Sequence, residues 1–582
     1  MEKQLMRSLT RTTRRHAVIA VSAACLLVPL AACTPDDGPR PAASATSTGG
    51  AAPYAPNNDG KNDGKNDGKR DGRLDERLGE RLDERLDRVT IPELQEDMKG
   101  KRLTSRELTQ AYLDRIHRLN PRLNAVVTVN PDALDLARKS DELRRTGEVR
   151  GPLEGIPVLI KDNIDTADRQ PTTAGSTALS HSKPAQDAFL VKKLRDAGAV
   201  ILGKANMSEW ANFRSVEQTA GWSATGGQTR NPYVLDRSPC GSSSGSAVAA
   251  AAALAAVTIG SETDGSIVCP ASVTSTVGVK PTLGMVSRSG MIPITSRHDT
   301  AGPIARNTTD AALALWAIHG SDTADTATSD ADTALPSDYR EVLDPNALRG
   351  KRIGVWRKGH IGIDPDVDRA FDLAVQRLRA LGATVVEGAD VADSKDMMQK
   401  DMLPAVLTEF KHDLNAYLAA TPGPHPKNLT ELIAFNKRNS TVEMPKFGQE
   451  LFEMADKTDG DINAPVYRRH RSAATRQARQ AIDGVLAEHR LDAIVTPTGV
   501  PAPAVEALDP TPFESSTRSS AVAGYPHITA PAGYARDTLP LGVSFLGTRY
   551  SDANLLSYAY AFERATPVRK APTYLPTLPG RS

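Results

Sequence analysis

The sequence predicts an α/β protein: a single large domain in which a central β-sheet is covered by helices on both faces. Three observations predict it. Short apolar runs bounded by turn residues, such as LNAVVTVN, GIPVLIKDN and LDAIVTPT, have the length of buried strands. Segments with apolar residues three and four apart, such as PDALDLARKSDELRRTG and DRAFDLAVQRLRALG, read as amphipathic helices. The two kinds alternate along the chain, which is the order that builds helix-covered sheets.

In chain order, the first residues do not belong to that core. Lys3, Arg7, Arg11, Arg14 and Arg15 precede an apolar run over residues 17–30, which ends in Leu30-Ala31-Ala32-Cys33. Residues 1–32 read as an export signal, the apolar run being short for a membrane span. Small residues directly before a cysteine make Cys33 the expected lipidation site of a bacterial lipoprotein. Thr13-Arg14-Arg15 adds the pattern of a twin-arginine signal, which exports protein already folded. The plainer alternative is an ordinary signal with an incidental cysteine. The expected location is the bacterial cell surface, held to the membrane only through an N-terminal lipid, or released outside the cell.

Residues 33–88 are expected to form a solvated tether. Pro, Ala, Ser, Thr and Gly give way to NDGK units and then to RLDE-like units, and none of these offers enough apolar area to offset chain entropy. Leu74, Leu78, Leu82 and Leu86, spaced four apart, suggest a charged linker helix in preference to a partner-binding coil.

Globular sequence is expected over residues 89–575, with 576–582 as a tail. It opens on TIPELQEDMKGKRLTSRELTQAYLDRIHRLN, which has helical spacing and a cap at Thr104 or Ser105 backed by Glu107. Strand, helix and strand follow in LNAVVTVN, PDALDLARKSDELRRTG and GIPVLIKDN, and the alternation continues through AFLVKKLRDAGAVILGKAN. The run AVAAAAALAAV reads as a helix. Residues 321–337, rich in Asp, Thr, Ala and Ser, read as a surface loop. LTEFKHDLNAYLAATP and NLTELIAFNKRN carry aromatic residues at helical spacing, so helices added over the sheet are expected there, for packing or to shape a substrate mouth.

Composition narrows the function classes. Lys plus Arg (71) nearly balance Asp plus Glu (70), so no net field draws nucleic acid or an anionic surface. No CxxC pair or HExxH helix supplies metal ligands, and no metal or organic cofactor is expected. Of the four cysteines, Cys25 falls inside the signal and Cys33 at its end. Cys240 and Cys269 are expected to be small buried packing residues, with a disulfide as the less favoured alternative for an exported pair.

The chemistry concentrates in three stretches. In Thr263-Asp264-Gly265-Ser266 a glycine directly before a serine permits a turn that aims backbone N–H groups at one point, where an oxyanion can sit. Gly241-Ser242-Ser243-Ser244-Gly245-Ser246 places hydroxyls at a helix start, and it lacks the Gly-Lys-Ser or Gly-Lys-Thr ending of a phosphate loop. Lys161 follows an apolar run, so its amine is expected near a strand end and partly desolvated, which lowers its pKa. Alternatively it pairs structurally with Asp162 or Asp165. His298, His412, His425 and His527 are read as structural residues and not as members of a Ser-His-Asp triad.

These stretches, with GKANMSEWANF, the NPY at Asn231, VGVKPT, AGPIAR, AGYPHITAPAG and LPLGVSFLG, resemble the amidase signature family from about residue 89 to 572. The resemblance implies a mixed sheet and a hydrolase of carboxamide C–N bonds that needs no cofactor. It casts Lys161 as the catalytic lysine, Ser242 as a bridging serine that follows a cis peptide, and Ser266 as the nucleophile, 24 positions beyond Ser242. The backbone N–H groups of Thr263, Asp264, Gly265 and Ser266 resemble the family's oxyanion hole. Three positions depart from the pattern: Asp264, Cys240 and Ser244 stand where glycine is common. Asp264 either offers a carboxylate to the substrate or points into solvent. EFKHDLNAYL and ELIAFNKRN look most like peptide amidases, so a small-molecule or peptide amide is the expected substrate. The alternatives are a non-catalytic surface lipoprotein using the fold to bind, and a subunit of a glutamine-type amidotransferase.

Overall fold

The computed structural model describes residues 82–392, 394–505, 516–565 and 567–579, so Cys25, Cys33, the signal and most of the expected tether, Leu74 and Leu78 included, lie outside the described residues. Eleven strands make one mixed sheet. In chain order they are β1 (Val126–Val129), β2 (Pro157–Lys161), β3 (Val200–Ala205), β6 (Val257–Glu262), β7 (Val277–Lys280), β8 (Thr300–Ala305), β9 (Arg352–Val355), β10 (Thr384–Glu387), β11 (Ala493–Pro497), β12 (His527–Ala535) and β13 (Leu539–Leu546). A separate short hairpin pairs β4 (Trp222–Ser223) with β5 (Gly227–Gln228). The large sheet runs β1-β3-β2-β6-β8-β7-β12-β13-β11-β9-β10. At one end β3, β2 and β6 are parallel, at the other β11, β9 and β10 are parallel, and the strands between are antiparallel. Every residue of β2, β3, β6, β8 and β13 is buried, which requires cover on both faces.

Helices α1 to α4 and α8 to α10 form where the apolar spacing placed them, and further helices complete the cover. Helix α1 (Ile91–Lys99) and α2 (Ser105–Leu123) each begin on a reciprocal cap, Thr90 with Glu93 and Thr104 with Glu107, so Thr104 and not Ser105 is the cap residue. Then come α3 (Ala133–Thr146), α4 (Phe189–Asp196), α5 (Ser244–Ala251), α6 (Val268–Val273), α7 (Thr308–Ile318), α8 (Pro365–Ala380), α9 (Leu403–Ala420), α10 (Leu429–Arg438), α11 (Glu450–Asp456), α12 (Pro465–His489), α13 (Arg518–Ala523) and α14 (Asp552–Ala565). The alanine-rich run is helical only in its first half. Ala253 turns with φ of 50° and the chain then enters β6 at Val257, because that segment must reach the sheet interior.

Two other regions differ from expectation. The folded body begins before residue 89: residues 82–86 are helical and Leu86 is fully buried. Arg115 explains the docking, since its guanidinium takes Asp83 at 2.9 Å, Asp87 at 2.9 Å and the Ala252 carbonyl at 2.8 Å. Arg115→Ala should therefore lower unfolding stability by about 2 kcal/mol, read from denaturant midpoints, because a buried cluster loses its donor. Residues 321–337 are not a plain surface loop but short 3₁₀ turns, with Ala331 fully buried. Asp325 holds them down by accepting from the Arg288 side chain and its backbone N–H.

Candidate active site

Strands β2 and β6 are parallel neighbours, with Ile160 opposite Ile259, so their carboxyl ends open on one edge, where α/β sheets take ligands. Lys161 ends β2 there and is fully buried. Its Nζ lies 2.7 Å from Ser242 Oγ, 3.0 Å from Ser261 O and 3.0 Å from Ser261 Oγ. Asn163 fixes that second hydroxyl, its Nδ2 reaching Ser261 Oγ at 3.0 Å. Burial lowers the Lys161 pKa from 10.5 to about 7, against the opposing pull of Asp299 and Glu262. The structural pairing with Asp162 or Asp165 is not found. Thr173 donates to Asp162 and the Tyr417 hydroxyl to Asp165 at 2.8 Å, and the cation that acts on both carboxylates is Lys204.

Ser242 sits on the turn that leads into α5. Cys240 holds φ of 55°, the left-handed region that explains why glycine is common there, and the Ser244 hydroxyl bonds the Cys240 carbonyl at 2.6 Å. The Gly241–Ser242 peptide is cis. Gly245 permits close approach, for a Cβ there would lie 2.3 Å from the Asn206 carbonyl and 2.4 Å from that of Ala125. Ser243 joins this turn to the next one: its N–H donates to Ser266 O at 3.0 Å, and its hydroxyl donates to Ser261 O at 2.9 Å.

The Ser266 turn is built around a carboxylate. Glu262, at the end of β6, accepts from Gly265 N at 2.8 Å, Ile267 N at 2.7 Å and Val268 N at 3.0 Å. This corrects one expectation: the Gly265 N–H is taken by Glu262 and is not free for an oxyanion. Its φ of 82° serves the turn instead. Among the described residues, the N–H groups of Thr263, Asp264 and Ser266 donate to no protein acceptor. Thr263 is steadied by its hydroxyl, which donates to Asp299 at 2.6 Å; Asp299 in turn accepts from Ile294 N and Thr295 N. Lys161 and Ser242 are thus brought together directly. Ser266 is tied to the Ser242 turn through the Ser243 N–H, and no direct hydrogen bond joins the hydroxyls of Ser242 and Ser266 among the described residues.

Similarity to known proteins agrees with this geometry. The Amidase family matches residues 107–556. The chain belongs to the amidase signature family. The solved peptide amidase of Stenotrophomonas maltophilia superposes with a TM-score of 0.79 at 48% identity, covering 84% of this chain and 99% of that one. A probable amidase of Arabidopsis thaliana is 41% identical over 84% of this chain and 91% of its own length. A subunit of the glutamyl-tRNA(Gln) amidotransferase of Moorella thermoacetica is 34% identical over 82% of this chain and 96% of its own.

Two of this amidase's departures from the family pattern take on a structural role. Cys240 and Cys269 are not separate packing residues but a disulfide, with Cα atoms 6.0 Å apart. Cys240, on the turn before Ser242, and Cys269, near the start of α6, are brought within bonding reach of one another, which the spacing of 29 residues does not reveal. Asp264 is partly exposed, yet its carboxylate is engaged and does not stand free for substrate. The Thr517 hydroxyl donates to it at 2.6 Å and Arg518 Nε approaches at 3.2 Å, anchoring the start of α13 against the Ser266 turn.

The helices α9 and α10 form as expected, and they pack chiefly on other helices, α9 against α11 and α12 and α10 against α11. Phe410 of α9 packs on Phe213 and Phe452, and Tyr417 reaches Asp165 on the loop that follows Lys161. Glu409 is buried and accepts from Thr295, Tyr467 and Arg471, so α9 also braces the segment that holds Asp299. The histidines stand apart from the serines in question. His527 lies between the hydroxyls of Ser520 and Ser544 and burial lowers its pKa to about 3, while His298 contacts Arg471. Sequence reasoning missed Ser261, Glu262, Asn163 and Asp299. The first three lie within SETDGS and KDNID, so a question about what holds each turn, asked of those stretches, would have reached them.

Proposed function

We propose that this amidase hydrolyses carboxamide C–N bonds through an acyl-enzyme on Ser266, and that its substrates are peptides with a C-terminal amide, which release ammonia. One observation carries the reading: a fully buried lysine with a pKa near 7 lies 2.7 Å from Ser242 Oγ. As a neutral amine, Lys161 has two N–H donors and one lone pair. Its three oxygen contacts fit that set, the donors serving Ser261 O and Ser261 Oγ while the lone pair accepts from Ser242 O–H. Ser242 then takes the Ser266 proton as Ser266 Oγ bonds to the carboxamide carbon. The carbonyl oxygen gains charge opposite the unengaged N–H groups of Thr263, Asp264 and Ser266, where each donor is worth about 3 kcal/mol. The proton returns through Ser242 to the leaving amine, and water repeats the sequence to free the acid.

The peptide-amide class is supported by the 48% identity to a peptide amidase over nearly all of that chain. Export with a lipid on Cys33 is supported by the signal pattern and by the disulfide, since such bonds persist in oxidising compartments. A panel of amidated peptides, simple amides and acyl anilides, assayed for ammonia or amine, tests the substrate class. Amidated peptides should lead in kcat/KM by about tenfold or more. A preference for free glutamine would favour the amidotransferase reading instead, and no turnover of any amide would favour the binding-module reading.

A further inference from the structure

We propose, building on the serine-amidase reading, that the Cys240–Cys269 disulfide is a positioning clamp for the catalytic serines and makes the enzyme depend on oxidation. Cys240 lies two residues before Ser242, and Cys269 three residues after Ser266, so the bond closes a ring that contains both. Where the proton must pass between the two hydroxyls, no side-chain hydrogen bond sets their separation among the described residues. Across that gap the noncovalent ties run through Ser243, by its N–H on Ser266 O and by its hydroxyl, which donates to Ser261 O and accepts from Ser261 N–H, and none of them reaches the hydroxyl of Ser242 or Ser266. Each turn is well held on its own side, by Glu262 at Ser266 and by Ser208 N on the Ser242 carbonyl. The disulfide therefore acts on the relation between two firm turns. A displacement there of a fraction of an ångström lengthens a proton-transfer distance without unfolding either turn.

Both cysteines are half-buried, and neither is sealed in the core. The bond forms by thiol–disulfide exchange. One thiolate attacks an external disulfide and the second cysteine resolves the mixed species, so two protein thiols are oxidised while one disulfide oxidant is reduced to two thiols. Chain that folds before oxidation then has its full site but little turnover. If export follows the twin-arginine pattern, the amidase stays quiet until it reaches an oxidising compartment.

The test follows the rate at which Ser266 is labelled by a fluorophosphonate, which does not depend on knowing the substrate, together with kcat and KM on an amidated peptide. Folded wild-type enzyme is compared oxidised, reduced with dithiothreitol so that Cys240 and Cys269 are free thiols, and reoxidised with oxidised glutathione. Cys240→Ser/Cys269→Ser is measured beside it at a temperature where circular dichroism shows both folded. Labelling and kcat should fall at least tenfold on reduction with KM changed less than twofold, return on reoxidation, and be low and insensitive to reductant in the double variant. Equal labelling of oxidised and reduced wild type overturns the clamp while leaving the serine chemistry in place. No labelling of the oxidised enzyme removes the serine chemistry, and the clamp with it. If the double variant does not fold, the wild-type comparison alone decides.

Discussion

Ser266→Ala is expected to abolish amide hydrolysis, lowering kcat by about 10⁴-fold or more, with far-ultraviolet circular dichroism and Tm unchanged. The side chain is not among the supports of its own turn: the turn is fastened through backbone N–H groups to Glu262, and the Ser266 link to the neighbouring turn runs through its carbonyl. Removing one oxygen therefore removes the nucleophile and little else, which is the condition under which a rate measurement reads chemistry and not folding. The residual rate of such variants comes from the oxyanion donors and substrate binding, so it should not reach zero. A Ser266→Ala enzyme within tenfold of wild type would place the nucleophile elsewhere. If Ser242 and Ser266 act as the one relay proposed, Ser242→Ala/Ser266→Ala should be about as slow as Ser266→Ala alone.

The residues of the proposed triad were legible because the chemistry proposed for them demands unusual local sequence. A serine behind glycine, a hydroxyl-rich helix start and a lysine closing an apolar run each contradict the ordinary patterning of a core, and that contradiction marks a site. Their supports were harder to see. Glu262 reads as the last residue of a strand until the turn beyond it folds back onto its carboxylate, and the disulfide exists only because two turns meet at one sheet edge.

Strands showed the same division. The runs at β2, β3, β9, β10, β11 and β13 were bounded and apolar, whereas β8 reads TAGPIA, with Pro303 in the middle of a strand that lies between β6 and β7. Proline there removes a ladder donor and argues against an interior strand from sequence alone. Likewise β12 contains Pro531 beside an irregularity in its pairing with β13, where the break in register accommodates it. The docked helix over residues 82–86 was hidden for a different reason. RLDE units look solvated by composition, and it is Arg115 and Arg118, far along the chain, that give Asp83 a cation to meet, with Arg115 also reaching Asp87.

Lys161→Ala should lower kcat by about 10³-fold and also change the shape of the pH profile. In the proposed relay the neutral amine is the competent form. With its pKa lowered to about 7 by burial, roughly half of Lys161 is neutral at pH 7, whereas at the unshifted value of 10.5 only about 1 in 3,000 would be. As pH falls below 7 the amine protonates and kcat/KM should drop about tenfold per unit; as pH rises above 7 it should level off. Asp299, which burial pushes up to about 7, titrates over the same range, so the acid limb belongs to the Lys161–Asp299 pair and its midpoint is an apparent value. The sign of their coupling is fixed, since the Asp299 charge favours protonated Lys161. Asp299→Asn should therefore move the acid limb to lower pH, even as loss of an acceptor for Thr263 and for the N–H groups of Ile294 and Thr295 slows turnover. In Lys161→Ala the limb should vanish, leaving a slow reaction nearly flat between about pH 5 and 8. A variant that keeps both the rate and the limb would show that the proton leaves Ser242 by another route.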